Sequence, residues 1–161
     1  MPHRDIVVIG ASAGGVEALA QLVRSLPGDL PAALFVVVHF PPQGMSILPH
    51  ILNRAGPLPA GHASDGESIR PGRIYVAVPD YHLLVKHGHV RVVRGPKEHY
   101  SRPAVDPLFR SAAHAYGPRV IGVILSGNLG DGTAGLMAVK AGGGRRRRAG
   151  PGRRLVPAYA A

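Results

Sequence analysis

The sequence of 161 residues lacks cysteine and tryptophan and contains only nine acidic residues. Without cysteine there is no disulfide framework and no thiolate nucleophile, so a cytoplasmic location is expected. The longest apolar stretch, residues 32–38, is much shorter than a membrane-spanning helix, and the N-terminus shows no signal-peptide pattern. These absences favour a domain without disulfides and without insertion into a membrane.

Metal-binding patterns are also missing from the sequence. None of the nine histidines lies in an H-E-x-x-H motif, and His87 and His89 have no acidic cluster beside them. We therefore expect neither a metal ion nor a cofactor.

The net charge of +10 is concentrated near the C-terminus. Residues 145–154 hold six of the 19 basic side chains, which leaves 13 basic against 9 acidic residues in 1–144. The five tyrosines and three phenylalanines are not interleaved with these arginines, as a base-stacking surface requires. We therefore expect no nucleic-acid partner.

The length fits one domain, and 45% hydrophobic residues with 22 Gly and 16 Pro are typical of a compact α/β protein. Continuous β-branched runs alternate with segments of helical spacing, which predicts a doubly wound, mostly parallel sheet with helices on both faces. Residues 81–86 and 89–94 flank His87-Gly88 and predict an inserted β-hairpin. The other predicted strands are residues 6–9, 32–38, 73–78 and 119–125, and the predicted helices are 16–26, 46–54, 105–116 and 133–141.

The turn Gly10-Ala11-Ser12-Ala13-Gly14-Gly15 joins the first predicted strand to the first predicted helix. A serine at this join stands clear of the sheet edge, beside helix N–H groups that can bind an oxyanion. The turn matches the G-x-S-x-G pattern of serine hydrolases. Glycine-rich turns at such joins also bind phosphate, so a phosphate- or nucleotide-binding module and a purely structural turn remain alternatives. The dinucleotide fingerprint G-x-G-x-x-G is not matched, because Ser12 replaces its second glycine.

Three residues suited to nucleophilic catalysis follow three predicted strands: Ser12, His39 and Asp131. Ligands of open α/β sheets bind beyond the carboxyl ends of the strands, so these residues are expected at one edge. His39 can accept the proton of the Ser12 hydroxyl, and Asp131 can orient the imidazole. The backbone N–H groups of Ala13 and Asn128 are candidate oxyanion donors. Taken singly, His39 also fits a solvent-facing residue, and Asp131 an ordinary helix N-cap.

Four motifs occur in a fixed order along the chain. They are I-G-A-S-x-G-G at residues 9–15, a strand ending in His-x-Pro at 36–41, R-P-x-V-D-x-L-F at 102–109 and L-[ST]-G-x-x-x-D-G at 125–132. Together they resemble the catalytic domain of the CheB-type protein-glutamate methylesterases, over roughly residues 5–144. The resemblance implies that Ser12 is the nucleophile, His39 the base and Asp131 the orienting acid. Asn128-Leu129 departs from the Met-Gly that many family members carry.

The resemblance also implies a function, namely hydrolysis of glutamate methyl esters on methylated chemoreceptors, with glutamine deamidation as a second reaction. No phosphoacceptor receiver domain precedes Ile6. Regulation is therefore expected to come from a separate partner. An inactive remnant of the enzyme is the alternative, beside the binding module named above.

The C-terminal segment departs from the family pattern, which continues with a strand, Gln-Asp-Pro and then Pro-x-Met-Pro. Here Gly142–Gly144 is followed by four arginines, Arg145–Arg148. Arginine codons of the form CGN, read one nucleotide later, become GNC codons, and the shifted frame permits the missing signature residues at the right spacing. We hypothesise a frameshift near Gly142–Gly144. On this hypothesis residues 1–144 are an incomplete catalytic domain that lacks its C-terminal strand and helix. Residues 145–161 then lie outside the fold, and the stability of the fold is expected to be marginal. A native arginine-rich tail that binds an anionic partner is the alternative.

Overall fold

The computed structural model describes residues 3–39, 47–125 and 130–149. These residues form a six-stranded sheet covered by helices on both faces, with a separate two-stranded hairpin, which confirms the predicted fold class. None of the described helices is long and apolar enough to cross a bilayer. The strands are β1 (Ile6–Ser12), β2 (Ala33–His39), β3 (Ala60–His62), β4 (Ile74–Val76), β5 (His82–Lys86), β6 (His89–Val93), β7 (Val120–Leu125) and β8 (Arg145–Ala149), and the helices are α1 (Val16–Arg24), α2 (Leu48–Ala55), α3 (Val105–Tyr116) and α4 (Thr133–Ala141).

The strand order of the large sheet is β3-β4-β2-β1-β7-β8, and the neighbouring strands run parallel. From β1 the chain first adds β2, β3 and β4 on one side of β1. It then crosses to the other side of β1, where it adds β7 and β8. The connections therefore leave β1 in opposite directions, which creates the crevice at the carboxyl edge where ligands of such sheets bind. Strands β5 and β6 pair as the predicted antiparallel hairpin.

Alternate residues of the central strands belong to two separate cores, because successive side chains of a strand point to opposite faces. Val8 and Val37 pack with α3 and the β5–β6 hairpin, whereas Ile9 and Val36 pack with α1 and α2. By this alternation Ser12 and His39 point to the face that α3 covers.

Two glycines allow close approaches that position the carboxyl edge. A Cβ on Gly15 would lie 2.1 Å from the carbonyl oxygen of Leu125, so only glycine lets the start of α1 pack on β7. A Cβ on Gly135 would lie 2.6 Å from Cβ of Phe109, so glycine also sets the spacing of α4 against α3.

The C-terminal strand is present, contrary to the expectation from the sequence. Residues 145–149 form β8, which pairs with β7 along the sheet edge, so the prediction that the strand is missing and that 145–161 lies outside the fold is wrong for these residues. The sequence pattern missed β8 because four arginines carry no apolar periodicity. Parallel pairing requires only backbone groups, so the arginine side chains remain exposed while Ala149 is buried. Residues 150–161 lie outside the described ranges.

The apolar side chains beside β8 are also covered. Ile121 and Val123 of β7 are only 3% and 6% exposed. Within the described ranges, therefore, these apolar side chains of β7 are not left exposed to solvent. The short edge strand β3, which lies at the opposite edge of the sheet, was not predicted either.

Candidate active site

Ser12 and His39 end neighbouring strands at the carboxyl edge of the sheet. Ser12 is the last residue of β1, His39 is the last residue of β2, and the two are register partners in the parallel ladder. Neighbouring strands lie about 4.8 Å apart, and paired residues of a parallel ladder point to the same face. The sheet itself therefore places the hydroxyl and the imidazole side by side. Ser12 has extended backbone (φ −83°, ψ 172°) and is followed by a single 3₁₀ turn, Ala13–Gly15, and then by α1.

Asp131 reaches the imidazole from the other side of β1, in the loop between β7 and α4. Nε2 of His39 lies 2.8 Å from Oδ2 of Asp131, and the Asp131 side chain is only 1% exposed. An ionised carboxylate only accepts hydrogen bonds, so Nε2 carries the proton in this pair. Nδ1 is then the nitrogen of His39 that can accept a proton from another group.

The carboxylate of Asp131 also caps the N-terminus of α3, although Asp131 lies just before the start of α4. Its Oδ2 accepts a hydrogen bond from N–H of Val105, and its Oδ1 accepts one from N–H of Asp106 at 2.9 Å, both at the N-terminus of α3. Burial raises the pKa of Asp131, but the hydrogen bonds from His39 and these two N–H groups outweigh it, and the pKa falls below its usual range. Asp131 is therefore ionised at neutral pH, as an orienting group for an imidazole must be. The N-cap position of α4 itself is occupied by Gly132.

Asp106 forms the reciprocal cap. It lies in the first turn of α3, is 1% exposed, and its Oδ1 accepts hydrogen bonds from N–H of Gly132 at 2.9 Å and of Gly135 at 2.7 Å. Asp106, in the first turn of α3, therefore caps α4, and Asp131, in the loop just before α4, caps α3. Because Gly132 directly follows Asp131, Asp106 fixes the backbone that carries the candidate orienting acid.

His99 makes a second histidine–carboxylate contact, which reasoning from the sequence missed. Its Nε2 lies 2.7 Å from Oδ2 of Asp106 and 3.9 Å from Oδ1 of Asp131, and its side chain is about half exposed. These three side chains have ligand atoms within 4.8 Å of one another, a spacing that a metal ion can use. Every one of them already takes part in hydrogen bonds within the group or to backbone N–H groups, so the geometry assigns them to hydrogen bonding. The one sequence signal was the position of His99 three residues before the motif at 102–109.

The remaining candidates are the oxyanion donors. Ala13 is the exposed first residue of the 3₁₀ turn, directly after Ser12, where helix N–H groups have no partner within the helix. Asn128, the second expected donor, lies outside the described residues. The structure thus brings Ser12, Ala13, His39 and Asp131 to one edge of the sheet.

Comparison with known proteins places this arrangement in a family. The sequence profile described as CheB methylesterase matches residues 7–147. The protein-glutamate methylesterase/protein-glutamine glutaminase 2 of Methanosarcina mazei is 38% identical over 150 residues, which cover 88% of this chain and 41% of the relative. The corresponding protein 1 of Paramagnetospirillum magneticum is 41% identical over 145 residues, which cover 87% of this chain and 38% of the relative.

A solved structure shares the fold. The crystal structure of the Thermotoga maritima CheB methylesterase catalytic domain matches with a TM-score of 0.83 at 38% identity, covering 90% of this chain and 79% of that chain. The chain spans about two fifths of the length of the curated relatives named above.

Proposed function

This chain belongs to the CheB methylesterase family, and on that premise we propose that it is a serine hydrolase of glutamate methyl esters on methylated chemoreceptors. The observation that carries the proposal is the 2.8 Å contact between His39 and Asp131, on an imidazole that the β1–β2 register sets beside Ser12. A hydroxyl is a weak nucleophile at neutral pH and needs an adjacent base held by a third group. These three residues supply that combination.

In the first half of the reaction, Oγ of Ser12 attacks the ester carbonyl carbon while its proton passes to Nδ1 of His39. Asp131 stabilises the imidazolium that forms, through the proton on Nε2. The tetrahedral intermediate collapses, the bond to the methoxy oxygen breaks, and the imidazolium protonates this oxygen to give methanol. The glutamyl group is then an ester of Ser12.

In the second half, His39 accepts a proton from water, and the water oxygen attacks the acyl carbon. Collapse of the second intermediate releases a glutamate side chain, and His39 returns a proton to Ser12. N–H groups at Ala13 and Asn128 are the proposed donors to the oxyanion in both intermediates.

Glutamine deamidation uses the same acyl-enzyme. The names of the curated relatives include protein-glutamine glutaminase. With glutamine the leaving group is ammonia, which requires full protonation by His39 before the carbon–nitrogen bond breaks. We therefore propose deamidation as a slower second reaction of the same residues.

The electrostatics of the edge favour an ester over a phosphate. The carboxylates of Asp106 and Asp131 are both buried at the edge that Ser12 occupies, and Asp131 is ionised. A phosphate dianion at this edge would be repelled by the negative charge, whereas an ester carries no net charge. The charges of these two carboxylates therefore disfavour the phosphate-binding alternative.

The test is release of methanol from a helical peptide that contains γ-methyl glutamate. Ser12→Ala is expected to lower turnover at least about 1000-fold, because the nucleophile is lost. Ser25→Ala is the matched control, since Ser25 lies at the opposite end of α1, where its hydroxyl donates to the carbonyl of Leu22. Equal residual turnover in the original chain and in Ser12→Ala would overturn the proposal.

The protonation state of His39 gives an independent test. The hydrogen bond to Asp131 places the proton on Nε2, whereas in the usual serine-protease arrangement Nδ1 faces the aspartate. For the neutral imidazole, we expect ¹⁵N NMR of the resting protein to place the proton of His39 on Nε2 and not on Nδ1. The opposite tautomer would show that the imidazole is turned over in solution.

A further inference from the structure

His82, the first residue of β5, is a buried histidine that the proposed reaction does not use. Its Nε2 lies 2.7 Å from the carbonyl oxygen of Pro96, and its Nδ1 accepts a hydrogen bond of 3.3 Å from N–H of Ala104. A carbonyl oxygen only accepts hydrogen bonds, so Nε2 is the nitrogen that donates. Both ring nitrogens of His82 are therefore bonded to backbone groups, one at each end of residues 96–104.

The bond to Ala104 completes the N-terminus of α3. Ala104 is the N-cap residue of this helix and is fully buried, so its N–H group needs an acceptor within the protein. The next two N–H groups, those of Val105 and Asp106, donate to the carboxylate of Asp131, and the proline that follows them has no N–H group. His82 and Asp131 together therefore accept three consecutive N–H groups at this end of α3.

The segment 96–104, which His82 bonds at both ends, contains a type I′ turn. Its central residues, His99 and Tyr100, have φ of 51° and 59°, and the residues on either side exchange both backbone hydrogen bonds, at 3.0 and 2.9 Å. The turn directs Nε2 of His99 to Oδ2 of Asp106, at 2.7 Å. The position of His82 therefore also fixes the ends of the segment that brings a second histidine to the carboxylates.

The β5–β6 hairpin is bonded to α3 at two further points, which provide a comparison. N–H of Val85 donates to Oγ of Ser111 at 2.9 Å, in the middle of α3. N–H of Gly88 donates to the hydroxyl of Tyr116 at 2.8 Å, at the last residue of α3. Of these three bonds between hairpin and helix, the bond of His82 is the one at the end of α3 that binds Asp131.

We propose that His82 is a positioning residue of the candidate active site, because its bond to Ala104 sets the position of the α3 N-terminus to which Asp131 is bound. The inference rests on the proposed function, in which Asp131 must hold the imidazole of His39 at 2.8 Å. Oδ2 of Asp131 accepts both the N–H of Val105 and the proton of His39. A shift of the helix terminus therefore changes the contact between Asp131 and His39 directly.

Two substitutions separate the two hydrogen bonds of His82. His82→Asn places Oδ1 near the position of Nδ1, so an acceptor remains for N–H of Ala104 while the donor to Pro96 is lost. His82→Gln places a side-chain N–H group near the position of Nε2, so the donor remains and the acceptor is lost. Ser111→Ala and Tyr116→Phe are the matched controls, because each removes one of the other bonds between the hairpin and α3. Thermal melting is recorded for every variant, and all assays are done well below the lowest Tm.

The first measurement is amide hydrogen exchange at Val105 and Asp106, followed by NMR in the full chain, and it needs no turnover. Each rate is divided by that of Val8 in β1, which reports unfolding of the whole domain. His82→Gln should raise this ratio at least about 10-fold, because the helix terminus loses its bond to the hairpin. His82→Asn and both controls should leave the ratio within about threefold of the original chain.

The second measurement is methanol release from the γ-methyl glutamate peptide. His82→Gln should lower kcat about 100-fold and change KM less than about threefold, because displacement of Asp131 affects the reacting groups and not the binding of the peptide. His82→Asn and both controls should keep kcat within about threefold of the original chain. An unchanged exchange ratio or an unchanged kcat in His82→Gln would overturn the inference, as would equal losses of kcat in His82→Gln and the controls. Absence of ester hydrolysis by the original chain would instead count against the proposed function, and the exchange ratio would still decide the role of His82.

Discussion

The reciprocal capping of α3 and α4 makes Asp106 a residue whose loss should destabilise the fold and the site together. Asp106→Ala removes the acceptor of two buried N–H groups, those of Gly132 and Gly135, and the partner of His99. Both N–H groups lie where packing excludes water, since Gly135 sits against Phe109.

The magnitude follows from counting the groups left without a partner. An unsatisfied buried polar group costs about 1–3 kcal/mol, so two N–H groups give about 4 kcal/mol. For a domain of this size, a loss of about 4 kcal/mol lowers Tm by about 10 °C. The total free energy of unfolding of a domain is about 5–15 kcal/mol, so the loss is a large part of it. Asp106→Asn retains an oxygen that can accept from both glycines, so its cost should be about 1 kcal/mol.

The assay is urea unfolding followed by circular dichroism, with Asp65→Ala as the matched control. Asp65 also accepts a backbone N–H, that of Val92 at 3.0 Å, and pairs with Arg91, but its side chain is about half exposed. Water can replace Asp65 as a partner, so its loss should leave the free energy of unfolding nearly unchanged. If Asp106→Ala unfolds within about 1 kcal/mol of Asp65→Ala, the two glycine N–H groups do not depend on Asp106, and the reasoning fails.

Three further predictions concern the site and the tail. His39→Ala and Asp131→Ala should each lower turnover by orders of magnitude, and the double variant should lose little more, because the residues act as a unit; multiplying effects in the double-mutant cycle would contradict this. Because the pKa of Asp131 is lowered in the folded state, its stabilising contribution is complete above about pH 4 and is lost as pH falls through the folded-state pKa. Asp131→Asn should therefore weaken the decline of the urea midpoint at acid pH. An identical decline in both chains would contradict this prediction. Restoring the shifted frame after Gly144 should raise both Tm and activity; a sharp reversible melt of the present sequence above about 55 °C, or an intact single frame on resequencing of codons 140–161, would remove the frameshift hypothesis.

Much of the site's location could be predicted from the order of residues along the chain. Parallel strands separated by helices bring their carboxyl ends to one edge, so Ser12 and His39, at the ends of adjacent strands, are placed together by periodicity alone. The helix 105–116 and the hairpin around His87-Gly88 were likewise predicted close to their observed bounds, since their apolar spacing and turn residues are local signals.

Other features were decided by tertiary packing. The strand β8 forms through backbone pairing with β7. The side chains of four consecutive arginines give no pattern that predicts a strand. The type I′ turn at His99-Tyr100 has none of the glycine or asparagine that usually marks such turns, and it is held by Arg110 from a different element.

The contacts that connect His39 with His99 could not be predicted from local sequence patterns. Asp131 and Asp106 are 25 residues apart in sequence, and each caps the helix of the other only because Gly135 lets α4 approach α3 closely. Hydrophobic periodicity determines which face of each helix is buried, but it does not determine the relative height at which two helices pack. The sequence by itself therefore determined the central strands of the sheet, their carboxyl edge and the candidates Ser12, His39 and Asp131. Only the packing of α3 on α4 decided which nitrogen of His39 faces Asp131, that Asp106 supports it, and that a second histidine stands behind both carboxylates.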